Sequence, residues 1–281
     1  MNNLRTLSSL IQQFFSDYLI NQRRASEHTI ASYRDCFSLL LHHAQRYYHK
    51  SAAAIELVEL NVDFITAFLG HLETERRVCI RSRNQRLAAI RSFFHYIALF
   101  VPEHIDLIQQ VLALPAKRYQ RRLITYLVEN EIECLLNAPD RDSWIGRRDY
   151  ALMRLMVQTG LRVSEVTGLC CADLDLSAAP FVRCTGKGRK ERCTPLTRPM
   201  ATVLQTWIRE NTFAKGCVLF PSSNGGMLSA DAVQHIVGKH TSIASLGCPS
   251  LTQKRVSPHV LRHTAAMQLL EAGVDTTMIA L

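Results

Sequence analysis

The sequence predicts a mostly helical protein of two domains, an N-terminal helical bundle followed by an α+β domain that carries a small antiparallel sheet. Its 281 residues, at about 150 residues per domain, make two domains that can each bury a core. Apolar residues recur at helical spacing as far as residue 112, with no strand-like run bounded by turns. Farther on, two short segments, Phe181–Thr185 and Arg192–Leu196, flank the basic loop Gly186-Lys187-Gly188-Arg189-Lys190 and read as a hairpin.

In the first element Leu7, Leu10, Ile11, Phe14, Phe15, Tyr18 and Leu19 form one helical stripe. Ser26 is a candidate N-cap for a second helix, with Ile30, Tyr33, Phe37, Leu40, Leu41 and Ala44 on one face. A third helix spans Val62 to Leu72, and a fourth carries Leu87, Ile90, Phe94 and Ile97. Residues 115–122, PAKRYQRR, hold Lys117, Arg118, Arg121 and Arg122 without an acid and read as a basic linker between domains 1–114 and 123–281. In the second domain helices are predicted over Val128–Asn137 and Arg147–Gln158, the latter stopped by Gly160. Helices resume near Ser229 and again at Pro258, where Ser257 is the N-cap and Pro258 the first helical residue.

Composition narrows the function. At 47% hydrophobic and 20% charged the chain is ordinarily globular. Its longest apolar run, around Ile97 to Val101, is far shorter than the roughly 20 residues of a membrane span. The N-terminus lacks the continuous apolar core of a secretory signal, so a cytoplasmic, nucleoid-associated protein is expected. Nine cysteines without a Cys-x-x-Cys pair predict reduced thiols rather than a disulfide framework or a zinc ribbon. Lys and Arg outnumber the acids 33 to 24, a formal charge of +9, and 26 of the 33 are Arg. The planar Arg fork grips phosphate in bidentate fashion, so the excess points to a polyanion, although a GC-rich genome would also enrich Arg. Arg76, Arg77, Arg81, Arg83, Arg86 and Arg91 fall in one stretch without an acid, which predicts a phosphate-facing edge of the bundle.

Three segments of the second domain carry chemistry. In TGLRVSEVTGL, Arg162 and Glu165 stand three apart; taken alone, such a pair reads as a structural ion pair. In TGKGRKERCTPL, Lys187 taken alone is a solvated turn residue. In SPHVLRH, His259 and Arg262 project from the first turns of a helix, where unpaired amides and the cation suit a phosphate. His259 and His263 are four apart, but Val260 stands where a zinc-protease helix needs Glu, so no metal is expected.

In this order the three segments resemble the arginine box, lysine hairpin and His-x-x-Arg box of the tyrosine recombinase (phage integrase) family. SEHTIASYRD and NQRLAAIRSFFHYI resemble its helical core-binding, SAM-like domain, so the resemblance covers nearly the whole chain. It implies a core-binding domain at 1–114 and a catalytic domain at 123–281. It also implies site-specific cleavage and rejoining of double-stranded DNA through a 3′-phosphotyrosyl link, by a homotetramer on two sites, with no cofactor and no metal. Arg162 and Arg262 would clamp the scissile phosphate, and Lys187 would protonate the leaving 5′-oxygen. His259 would hydrogen-bond the phosphate or accept a proton, Glu165 would orient Arg162 or His259, and His263 would support the helix. Arg189 and Lys190, with the linker and the Arg76–Arg91 cluster, would contact DNA. The family's tyrosine lies farther beyond the His-x-x-Arg arginine than the 19 residues, 263 to 281, that follow Arg262. The resemblance therefore implies a chain cut short before its nucleophile and inactive in cleavage by itself. The same residues fit two alternatives, a non-enzymatic DNA-binding accessory protein on this fold and a type IB topoisomerase-like enzyme.

Overall fold

The computed structural model describes residues 6–120, 123–186, 191–211 and 217–275. The chain divides into two compact units, 1–121 and 122–281, and each buries its own apolar cluster.

Every named element among the described residues of the first unit is helical. Helix α1, Leu7–Gln13, starts where the Thr6 hydroxyl accepts the Ser9 N–H, closing one of the open donors of the first turn. It runs on into a π-helical stretch, Phe14–Gln22, rather than the plain α-helix that its stripe predicts. Phe14 and Leu19 both have 0% exposure; they are five residues apart, the spacing that an i→i+5 turn stacks on one face. Ser26 caps α2, Glu27–Tyr48, by accepting the Thr29 N–H. Asn61 caps α3, Val62–Thr74, in the same way. Helices α4, Ile80–Ile97, and α5, Ile105–Ala113, complete the bundle. At its centre Phe14 meets Phe37, Phe93 and Tyr96 at ring distances of 5.9, 5.5 and 5.7 Å, contacts that add specificity to the burial.

The second unit is built around α7, Trp144–Thr159, whose Ala151, Leu152, Met153, Leu155 and Met156 are all buried. Helices α6, Glu129–Asn137, α9, Arg198–Asn211, and α11, Pro258–Glu271, pack on it. The sheet is antiparallel in the order β1-β2-β3, formed by Leu174–Asp175, Phe181–Thr185 and Glu191–Pro195. The β2–β3 register sets Val182 opposite Thr194 and Cys184 opposite Arg192. A short helix α8, Val163–Thr167, follows α7, and α10, Ala230–Ala244, closes the core. The protein is thus mostly α with one small antiparallel sheet in its second unit. Among the described residues no helix is long and apolar enough to cross a membrane.

One buried polar network crosses this core. Asp149, 1% exposed, accepts Arg148 Nε and Nη2 at 3.0 and 2.8 Å on one oxygen and lies 2.9 Å from His240 Nε2 on the other. Arg148 Nη1 also donates to the Pro221 carbonyl at 2.9 Å. Because the charges are mutually paired, their burial is tolerated.

Candidate active site

The site begins at the end of α7, where Gly160 adopts φ 62°, a conformation that glycine takes at little cost. A Cβ at Gly160 would lie 3.2 Å from the Ala265 Cβ and 3.6 Å from the Arg262 carbonyl oxygen. Two small residues thus let the α7 terminus approach α11 closely. Across that contact Arg262 Nη1 donates to the Gly160 carbonyl oxygen, which ties the His-x-x-Arg helix to the chain two residues before Arg162.

Arg162 stands just before α8, with extended backbone at ψ 153°. Its side chain is 43% exposed, whereas that of Glu165 is 3% exposed. The Glu165 carboxylate accepts the Arg162 backbone N–H at 2.7 Å and Arg162 Nη1 at 3.0 Å. A third cation completes the cluster. Arg192 on β3 donates Nη1 and Nη2 to the two Glu165 oxygens at 3.0 and 2.8 Å, the bidentate geometry that guanidinium favours. Burial pushes the Glu165 carboxyl up, but the hydrogen bonds from Arg192 and Arg162 outweigh it and hold the group below the ordinary glutamate value. Burial and then Arg162 lower the Arg262 pKa, with Glu165 acting against them. Three arginines less one glutamate leave a local charge of +2. Such a cluster favours a multiply charged oxyanion.

His259 is exposed and His263 half-buried on α11, their rings edge-on at 4.3 Å. Burial, His259 and Arg262 together lower the His263 pKa. Glu165 has its hydrogen bonds to Arg162 and Arg192. Lys187, Arg189 and Lys190 lie outside the described residues, as do Arg121 and Arg122. Among the described residues no cluster of three or more His, Cys, Asp or Glu side chains is arranged to hold a metal ion. All nine cysteines are free thiols.

Arg192 is the residue that the sequence reasoning missed. The available signal was register: opposite residues of paired strands share a face, so a hairpin that buries Val182 and Cys184 turns Thr194 and Arg192 inward.

The basic stretch of the first unit divides. Arg76, Arg77, Arg81 and Arg118 are exposed. Arg83 is a correction to the phosphate-facing expectation: it is buried, 3.7 Å from Glu73 and bonded to the Pro115 carbonyl at 3.5 Å. The reason lies in its position on α4, four residues before Leu87 on the face that runs through Ile90, Phe94 and Ile97 to the core. Arg91 donates to the Leu114 carbonyl and Arg86 to the Ser82 carbonyl at 3.3 Å, so both are partly committed within the unit. Lys117 pairs with Glu73 at 2.6 Å, and its backbone is bonded to Asn84 through N–H and carbonyl. The start of the basic segment is therefore strapped to the helical bundle.

With this geometry in place, comparison with known proteins is direct. Residues 125–280 match the phage integrase family, and residues 11–99 match the N-terminal SAM-like domain of phage integrases. Over 281 residues, 100% of this chain and 85% of its relative, the sequence is 48% identical to the Sinorhizobium fredii protein called "Putative integrase/recombinase y4rC". It is 31% identical to tyrosine recombinase XerD of Vibrio cholerae serotype O1, covering 96% of this chain and 85% of that protein. Among solved structures, the Tn1549 transposon integrase in complex with transposon right end DNA shares the fold with a TM-score of 0.72, at 15% identity over 95% of this chain and 88% of that one. The chain belongs to the phage integrase family of tyrosine recombinases.

Proposed function

We propose that the protein is a site-specific DNA recombinase or integrase that holds a scissile phosphate of double-stranded DNA between Arg162 and Arg262. The observation that carries this reading is the pairing of Arg162 and Arg192 on the buried Glu165, with Arg262 bonded to the Gly160 carbonyl two residues before Arg162. A phosphodiester under in-line attack gains negative charge on its nonbridging oxygens, and preorganised guanidinium groups stabilise that charge without reorganising. His259, exposed on the first turn of α11, hydrogen-bonds the phosphate or takes a proton in the proposed reaction. Lys187 is the proposed general acid for the leaving 5′-oxygen. Exposed Arg76, Arg77, Arg81 and Arg118 supply phosphate contacts away from the reacting centre. Two recombining sites would be held by four copies of the chain.

Duplex binding tests the reading. If six or more phosphates are neutralised, log K falls against log salt with a slope of about −5 or steeper. A slope near zero would overturn it. Because arginines and Lys187 supply the charge that a metal provides elsewhere, any strand cleavage should persist in EDTA, and loss on chelation with recovery in magnesium would refute the mechanism.

A second reading, a DNA-binding protein that does not itself cleave, is favoured by the state of Tyr150. Its hydroxyl accepts Arg154 Nη1 at 2.6 Å and its ring is covered by the Arg141 guanidinium at 3.9 Å. The other tyrosine of the second unit, Tyr126, precedes the arginine box as Tyr150 does, and neither matches the family's nucleophile. Denaturing electrophoresis after incubation with nicked DNA separates the two readings. A covalent band that maps to a tyrosine of residues 1–281 would overturn the second reading and show that these residues themselves supply a nucleophile.

A further inference from the structure

A carboxylate offers about four lone-pair sites, and Glu165 has four N–H donors on it. Arg192 supplies two of them from a single guanidinium edge. Arg162 supplies one from its side chain and one from its backbone. The two arginines therefore share the buried carboxylate unequally. Arg192, 24% exposed, is spent on Glu165 through both terminal nitrogens. Arg162, 43% exposed, commits only Nη1 of its guanidinium to it.

We propose that Arg192 is a positioning residue of the phosphate pocket: its bidentate grip on Glu165 keeps Arg162 from closing onto that carboxylate and leaves the outer edge of Arg162 for a phosphate oxygen. The proposal rests on the reading of Arg162 as a phosphate ligand. Without the Arg192 fork, the buried Glu165 retains one guanidinium beside it, and fork-to-fork pairing with Arg162 becomes the least costly way to satisfy its charge. The outer edge of Arg162 then turns inward. Charge points the same way, because three arginines less one glutamate give +2, against the two negative charges of a pentavalent phosphorus centre. Loss of Arg192 halves that balance. Arg192 also faces Cys184 across the β2–β3 ladder, so the same ion pair fixes the base of the hairpin whose sequence holds Lys187.

The test titrates the full chain with orthovanadate, a mimic of five-coordinate phosphorus, in the presence of a nicked duplex. Vanadium NMR reads binding, and the Glu165 carboxyl carbon is followed against pH. Arg192→Gln should weaken vanadate binding about ten- to hundredfold, the range for a lost charge-assisted contact, and should raise the Glu165 midpoint. Arg192→Lys keeps the charge but loses the fork, so it should fall between the two; it carries the test if Arg192→Gln does not fold. In a Glu165→Gln background Arg192→Gln should cause a clearly smaller loss, because the part of its effect that passes through the carboxylate is already gone. Unchanged vanadate affinity in Arg192→Gln would overturn the proposal. So would an equal loss with and without Glu165, which would make Arg192 a direct phosphate ligand. If the unsubstituted chain fails to bind vanadate, the phosphate-pocket reading falls and takes this proposal with it, a result distinct from failure of the substitutions alone.

Discussion

Arg262 donates a hydrogen bond to the carbonyl oxygen of Gly160, so the helix that carries Arg262 is fastened to the turn that presents Arg162. The fastening depends on glycine. Gly160→Ala would place a methyl group 3.2 Å from the Ala265 Cβ in a backbone conformation at φ 62°. Left-handed strain and the tight contact should together cost roughly 1–3 kcal/mol. Urea unfolding should show the loss, and DNA affinity should fall further than stability alone requires, because Arg262 is pushed away.

Asp149 is the hinge of the buried network with Arg148 and His240. Asp149→Asn leaves the Arg148 guanidinium, 7% exposed, without its counter-charge. Removing one partner of a buried pair costs about 3–5 kcal/mol. Chemical denaturation should register that loss in the second unit. A change below about 0.5 kcal/mol, typical of a surface position, would mean that the network contributes little.

Glu131 gives the second unit an acid limb. Its oxygens accept Ser250 Oγ at 2.7 Å, Lys254 Nζ at 2.6 Å and the Val128 N–H at 3.0 Å. Burial raises its pKa, yet the hydrogen bonds from Lys254 and Ser250 bring it below the ordinary value of 4.5. Glu165 is lowered in the same direction. A folded pKa below the unfolded one means that the stabilisation is fully present above 4.5 and is lost as pH falls through the lower folded values. Glu131→Gln should cost about 1–3 kcal/mol at neutral pH and flatten the loss of stability on acidification. Unfolding midpoints measured from about pH 7 down to about pH 3 would show it.

Much of this architecture is legible where the cause is local. Ser26, Ser257 and Gly160 mark helix ends through their own side chain or lack of one, and each can be read from a few neighbours. Helix α9 is a different case: Met200, Leu204 and Trp207 form its buried stripe, but Thr197-Arg198-Pro199 at its start resembles a turn and hides it. Leu269 fits the apolar stripe of α11 yet is 40% exposed, because periodicity names a face and does not say what covers it. Arg162 and Glu165 were visible as a pair three residues apart, whereas the Arg192 that binds the same carboxylate lies 27 residues beyond Glu165. Its place depends on strand register, which is a tertiary property.

Arg81 and Arg83 should separate the proposed DNA contact from stability within one helix. Both belong to α4, but Arg81 is exposed, whereas Arg83 is buried beside Glu73 and bonded to the Pro115 carbonyl. Arg83→Ala should therefore cost about 1–3 kcal/mol of folding stability, through lost packing of its stem and a Glu73 left with Lys117 alone. Its effect on the salt dependence of DNA binding should be small. Arg81→Ala should leave the unfolding midpoint within about 0.5 kcal/mol while reducing the slope of log K against log salt by about 0.9, one phosphate contact. Denaturant melts and salt titrations on the two variants read the two axes independently. Equal slopes for both variants, or a larger slope change for Arg83→Ala, would place the DNA-facing edge of α4 on the wrong side.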